Sequence, residues 1–262
     1  MNSPMPVQAE PWTSTSSVSP FPPAALPLRG PGPHRPVAAV SFRALHPPSL
    51  PLRGVVAVTG NSRAIRLLDL FGASMALVLL APIMLATALA VMLLDPGPLL
   101  FAHTRLGQGG RPFRCLKFRS MTVDADARLA HLLETDAEAR AEWQATQKLR
   151  QDPRITPLGR FLRRSCLDEL PQLFNVLRGD MSLVGPRPIV AGEAARYGRH
   201  FSVYCSLKPG ITGLWQVKRE DQTSYRRRVA FDLAYARSRS LALNVRILLL
   251  TVPCVLRGEG AC

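Results

Sequence analysis

From Leu70 to Leu94 the chain carries no charged residue and is rich in Leu, Ala, Val and Met. As a helix this run would reach roughly 38 Å, enough to cross the hydrocarbon core of a bilayer. Apolar residues occupy every face rather than one stripe, unlike the helix of a soluble core. Pro82, near its middle, removes a backbone hydrogen bond and predicts a bend. Arg63 and Arg66 precede the run, and Arg105, Arg111 and Arg114 follow it. The positive-inside rule then favours neither orientation of a single span and fits a re-entrant helix hairpin over 62–98, both ends cytoplasmic.

Beyond the turn Asp95-Pro96-Gly97-Pro98 the apolar positions come in shorter groups. Cys115 to Met121 reads as a strand or extended segment, and Asp124 to Arg150 as a polar, exposed helix. Leu158 to Val176 has the spacing of an amphipathic helix, with Leu167, Leu170, Phe174 and Leu177 on its buried side. Ser182 to Val190 and Lys208 to Val217 are loops punctuated by proline and glycine. Thr223 to Arg239 reads as helical, and Leu241 to Leu256 as an apolar helix suited either to a membrane interface or to packing in the globular core. The pattern predicts a mixed α/β, mostly helical fold. It joins a re-entrant membrane helix and interfacial amphipathic helices to a small cytoplasmic domain over 99–262.

Ahead of the apolar run, residues 1 to 53 hold 13 of the 24 prolines and a single acid, Glu10. Prolines at that density exclude helix and sheet ladders, so residues 1–61 are expected to be a disordered tail. The net charge is +15 beside 47% hydrophobic residues. A basic chain with its apolar residues gathered in one run points to a membrane rather than to nucleic acid, and no basic-aromatic interleaving suggests base stacking. The five cysteines are scattered without zinc or redox spacing and read as reduced thiols. His103 and His200 lack neighbours at ligand spacing.

The most informative stretch runs from Asp152 to Gln172. Ser165 followed three residues later by Asp168 has the spacing of a capping box, which would put Asp168 and Glu169 in the first turn of a helix beside Arg163 and Arg164. Backbone N–H groups, the helix dipole and two guanidiniums would hold the carboxylates ionised and attract a diphosphate. An ionised Asp aimed at phosphorus is a possible nucleophile, and the adjacent Glu a possible magnesium ligand. A capped helix start with a surface ion pair accounts for the same spacing.

Four blocks in one order go further. Lys117-Phe118-Arg119-Ser120-Met121, then Asp168-Glu169-Leu170-Pro171-Gln172, then the segment from Leu173 to Pro188 ending Gly185-Pro186-Arg187-Pro188, then Pro209 to Val217 closely resemble the bacterial sugar transferases. These are the monotopic phosphoglycosyl transferases that open exopolysaccharide and glycan assembly. The resemblance covers residues 62 to 260, with Ala81-Pro82 in the place of the family's re-entrant break.

The resemblance implies that Asp168 is the nucleophile of a covalent phospho-sugar intermediate and that Glu169 is the Mg2+ ligand. It makes Lys117 and Arg163 active-site cations, with Arg187, Pro186, Pro188 and Arg119 binding substrate. The implied substrates are a UDP-sugar and undecaprenyl phosphate, with UMP released at the cytoplasmic face of the bacterial inner membrane. No nucleic acid is expected, and the oligomeric state, a dimer included, stays open. A catalytically lapsed, membrane-tethered basic scaffold is the rival reading; the retained Asp168, Glu169, Arg187 and Lys117 argue against it. The chain departs from the family's pattern at Ala102-His103, at Lys218 to Asp221, at Arg239 and at Asn244.

Overall fold

The computed structural model describes residues 62–146, 149–218 and 224–257; the tail expected over 1–61 lies outside them. The apolar run forms one uninterrupted helix, α1 (Ser62–Leu94), which continues through Pro82 rather than parting into two. It is the one described helix long and apolar enough to cross a membrane. Leu67, Phe71, Val78, Leu79, Leu85 and Leu93 are exposed on it, whereas Ile65, Asp69, Ala73, Thr87 and Val91 are buried against the rest of the chain.

Both ends of α1 are fastened by polar contacts. Near its start Arg66 donates to the carbonyls of Val176 and Leu177 at 2.7 and 2.9 Å. One turn on, Asp69 accepts from Ser182 Oγ at 2.8 Å and from the Leu183 N–H at 2.9 Å. Past its C-terminus the carbonyls of Asp95 and Pro96 accept from Arg119, whose guanidinium also pairs with the Asp95 carboxylate at 3.8 Å.

Next comes an antiparallel hairpin, β1 (Leu100–Leu106) and β2 (Pro112–Phe118), with Phe101 opposite Lys117 and His103 opposite Cys115. The polar region after it forms two exposed helices, α2 (Ala125–Thr135) and α3 (Ala137–Thr146). Helix α4 (Pro157–Arg164) starts on Thr156, whose side chain accepts from the Gly159 N–H, with Pro157 at its first position.

Here the amphipathic helix expected through Val176 breaks. Ser165 does not cap a following helix: its hydroxyl donates back to Phe161 O at 2.8 Å and Leu162 O at 3.2 Å, closing α4. Cys166 then takes a left-handed conformation at φ 56°, and Leu167–Glu169 make a single 3-10 turn before α5 (Gln172–Arg178). The kink resets the helical phase. Gln172, Leu173, Asn175 and Val176 turn inward, and Phe174, expected on the buried side, is exposed.

The two punctuated loops contain a short parallel pair, β3 (Ser182–Val184) and β4 (Gly210–Thr212). Short helices α6 (Ala194–Tyr197) and α7 (Phe201–Cys205) lie between them, and α8 (Leu214–Val217), α9 (Tyr225–Ser238) and α10 (Leu241–Leu256) follow. The main core gathers Ala73 of α1, Cys115 of β2, Leu173 and Val176 of α5, Tyr235 of α9 and Ile247 of α10. Burial pushes the Cys115 thiol up to about 11, so it serves as packing.

One buried amide joins the hairpin to α5. Asn175 Oδ1 accepts from the Leu116 N–H at 3.0 Å, while its Nδ2 donates to Arg114 O at 2.8 Å and to Asp180 Oδ2 at 3.1 Å. The side chain bonds the edge of β2 as a neighbouring strand would. Asn175→Ala strips a partner from two backbone groups, each worth roughly 1–3 kcal/mol when buried unsatisfied. Denaturant unfolding of the detergent-solubilised variant should show a loss of about 2–4 kcal/mol; an unchanged midpoint would mean that α5 and β2 are held together by other contacts.

Candidate active site

The kink between α4 and α5 carries Asp168 and Glu169, and β2 brings Lys117 against them. Lys117 Nζ lies 2.6 Å from Glu169 Oε1 and 3.4 Å from Asp168 Oδ2. Asp168 is buried at 5% exposure. Burial pushes its carboxyl above the ordinary aspartate range, the Lys117 ammonium pulls it back, and the Glu169 charge pushes it up again. The electrostatics thus differ from those of a helix N-terminus. The Glu169 and Leu170 N–H groups bond the carbonyls of Cys166 and Leu167 within the 3-10 turn. An ammonium steadies the two acids in place of a helix dipole.

The acids face a cleft of about 410 Å³. Six basic residues line it with them: Arg105, Lys117, Arg119, Arg154, Arg163 and Arg187, of which Arg154 is paired with Asp152 at 2.7 Å. Arg163 is oriented by donating from Nε to Ser120 Oγ at 2.9 Å, while Arg164, its expected companion, is exposed to solvent. Arg119 contributes to the cleft wall, but its guanidinium is engaged by the turn after α1. Arg187 lines the cleft and an adjoining recess together with Pro188. Pro186 acts through the backbone: its carbonyl accepts from the Gly210 N–H at 2.9 Å and ties the Arg187 loop to β4.

Three contributors were not singled out from the sequence. Arg105 of β1 donates to Pro188 O at 3.3 Å and pairs with Glu193 at 3.9 Å. Burial is the chief cause, and the nearby Arg187 charge the next, that lowers its proton affinity. Gln172 and Gln216 line the recess beside Glu169. The signal for Arg105 was its place in a basic stretch, but the stretch alone did not tell which arginine faces inward; the alternation of β1 decides that.

Six basic residues against three carboxylates, Asp126, Asp168 and Glu169, leave the cleft receptive to a multiply charged anion. Asp168 and Glu169 are also the metal-binding candidates; among the described residues no group of three or more His, Cys, Asp or Glu side chains converges to hold an ion. Magnesium bound through one or two carboxylates completes its shell with substrate phosphates and water. The pair fits that mode, with Lys117 Nζ and the ion competing for Glu169.

The family model described as bacterial sugar transferase matches residues 60–258. A Salmonella typhimurium protein named undecaprenyl-phosphate galactose phosphotransferase is 47% identical over 196 residues, covering 75% of this chain and 41% of that one. The exopolysaccharide production protein ExoY of Rhizobium meliloti is 42% identical over 75% of this chain and 87% of its own. A UDP-glucose:undecaprenyl-phosphate glucose-1-phosphate transferase of Caulobacter vibrioides is 41% identical over 75% of this chain and 71% of its own. The matched region thus spans about two-fifths of the length of the Salmonella relative.

The site depends on a close approach at Gly159, where an added Cβ would fall on the Ser120 carbonyl. Gly159→Ala should push α4 away from Ser120 and destabilise the fold by about 2 kcal/mol, as overpacking does. Thermal unfolding measures this, and a variant as stable as the parent would show that the two segments separate freely.

Proposed function

The chain belongs to the bacterial sugar transferase family, and from that premise we propose that it transfers a sugar-1-phosphate from a UDP-sugar to undecaprenyl phosphate, releasing UMP. The single observation that carries this reading is a buried carboxylate, Asp168, facing a cleft lined by six basic residues and paired with the Lys117 ammonium. Desolvation raises the reactivity of such a carboxylate, and the Lys117 ammonium opposes burial by favouring its ionised form.

In the proposed first step an Asp168 carboxylate oxygen attacks the sugar-linked phosphorus. The bond from that phosphorus to the bridging oxygen breaks, and UMP leaves with the electron pair. An acyl phosphate now joins Asp168 to the phospho-sugar. A phosphate oxygen of the lipid acceptor then attacks the same phosphorus, the acyl bond breaks, and the carboxylate is restored. Arg163, Arg187 and Arg105 would orient the diphosphate and offset its charge. Glu169 would hold magnesium, which would supply charge neutralisation on the diphosphate.

Location follows the same reading. A straight helix of 33 residues is roughly 50 Å long, yet α1 is fastened to the same body near Arg66 and Asp69 and again at Asp95. That supports a re-entrant insertion with both flanks on the cytoplasmic face of the inner membrane, where UDP-sugars are found. The exposed Leu249 and Val252 of α10 suit contact with the interface.

The decisive experiment supplies a panel of labelled UDP-sugars without lipid acceptor. One sugar should give UMP and label on the protein, and adding undecaprenyl phosphate should move the label to lipid. Asp168→Asn should lose at least about three decades of turnover while staying folded. A mechanism in which both substrates must be bound together, with Asp168→Asn active, would exclude the covalent step.

The pH dependence has a defined sign. The attacking form is the carboxylate, so the rate of UMP release falls as pH falls through the Asp168 pKa. Burial holds that pKa above the ordinary 3.8. Lys117→Met removes the ammonium that opposes burial, so the acid limb of the rate profile should move to still higher pH. A limb that stays in place or moves down would mean that Lys117 does not set the charge of Asp168.

A further inference from the structure

We propose that the apolar rim formed by Pro98, Phe101 and Val123 seats the first isoprene units of the lipid acceptor, at the point where the membrane helix meets the cationic cleft. The inference rests on the transferase reading and names the part of the site that receives the second substrate.

All three residues line the same cleft as Asp168, and they differ from its floor. Phe101 is 53% exposed and Val123 66% exposed, while the floor holds charged groups. The rim is also continuous with the membrane helix. Leu93 and Leu94, both more than two-thirds exposed, end α1, and the turn Asp95–Pro98 leads directly into β1. That turn is packed against the far side of the cleft mouth. Gly97 has φ +140°, and a Cβ there would come within 2.8 Å of Val123 Cγ2 and still closer to the Arg119 guanidinium. Val123 and the end of α1 are therefore neighbours, held together by the Arg119 contacts to Asp95 and Pro96.

The strand register connects this rim to the chemistry. Phe101 stands directly across from Lys117 in the β1–β2 hairpin, and directly opposed side chains in an antiparallel pair are neighbours on one face. Lys117 in turn reaches Asp168 and Glu169. One step along the hairpin thus passes from an exposed aromatic ring to the ammonium beside the carboxylates. An acceptor that is a phosphate on a long apolar chain needs this sequence of surfaces. Its phosphate must reach the cations and Asp168, its chain must stay out of water, and the rest of the chain must remain in the bilayer that α1 enters. A nucleotide base could also lie on Phe101, and the experiment separates the two occupants.

The test uses the full chain in lipid nanodiscs, with undecaprenyl phosphate carrying a diazirine near its phosphate end. Photolabel should land on the segments holding Phe101 and Val123. Phe101→Ser combined with Val123→Ser should raise KM for undecaprenyl phosphate about tenfold, the scale of losing one well-buried apolar contact, with UMP release in the absence of acceptor changed less than about twofold. Phe101→Leu should restore most of the acceptor affinity.

Slowed UMP release with an unchanged acceptor KM would assign the rim to the nucleotide and overturn the proposal. So would a variant that leaves the membrane fraction yet keeps its acceptor KM, since the rim would then be only an anchor. Photolabelling needs no turnover. A chain that is labelled at the rim but releases UMP from no UDP-sugar defeats the transferase reading and leaves the lipid seat standing, whereas one that turns over but is labelled elsewhere defeats the seat alone.

Discussion

The Lys117 ammonium, set between two adjacent carboxylates, is the contact on which the site is organised. Two acids next to each other in sequence and largely removed from water repel, and burial pushes the Asp168 carboxyl above the ordinary aspartate range. A cation held against both makes the pair tolerable. It also sets a constraint on the fold, because Lys117 belongs to a strand and the acids to a kink between helices about fifty residues later. Strand and kink must therefore be locked in register, and the buried amide of Asn175 does that by bonding two backbone groups on the edge of β2.

The same locking extends toward the membrane. Arg66 covers the carbonyls at the C-terminal end of α5, and Asp69 grips the start of β3. Helix α5 begins three residues after Glu169, and β3 leads into the Gly185–Pro188 loop that carries Arg187. The first turns of the apolar helix thus hold the two segments that bring acid and base groups to the cleft. A charged residue at the head of so apolar a helix needs polar partners, and Asp69 finds them in Ser182 and Leu183. The apolar helix is thus a part of the body that carries the cleft.

Much of this was legible in the sequence, but unevenly. The long apolar helix and the last two helices follow from hydrophobic spacing, which is a local property; the strand expected from Cys115 overlaps β2 only over Cys115–Phe118, and the single polar helix expected over 124–150 is divided into α2 and α3. The pairing of Lys117 with Asp168 came from resemblance and not from spacing, since their contact is non-local. The kink at Cys166 was misread for a physical reason: Ser165-x-x-Asp168 satisfies the spacing of a capping box, and the left-handed residue that ends α4 is a cysteine rather than the usual glycine or asparagine. Asn175 and Asp69 went without a role, and Arg66 and Arg105 counted only as charges flanking the apolar run, because each acts on a partner far away in the chain. Asp69 did leave a signal, an acid immediately before an otherwise uncharged run.

The β1–β2 hairpin shows how a short segment can present a graded surface. Alternation places Phe101, His103 and Arg105 on one face of β1, with Lys117 and Cys115 opposite the first two. Along that face the character passes from an exposed ring to a cation. Between them His103 stacks on Phe101 at 5.9 Å between ring centroids. Burial, with help from the Arg105 and Lys117 charges, lowers its proton affinity, so it is a neutral ring at neutral pH and adds no further positive charge to the mouth. The gradient is thereby kept steep, with apolar surface next to the end of α1 and positive charge concentrated at the carboxylates. A slip of one residue in the hairpin register would turn all of these side chains to the other face. The bonds from Asn175 to β2 therefore fix more than stability: they decide which face of the hairpin the cleft receives.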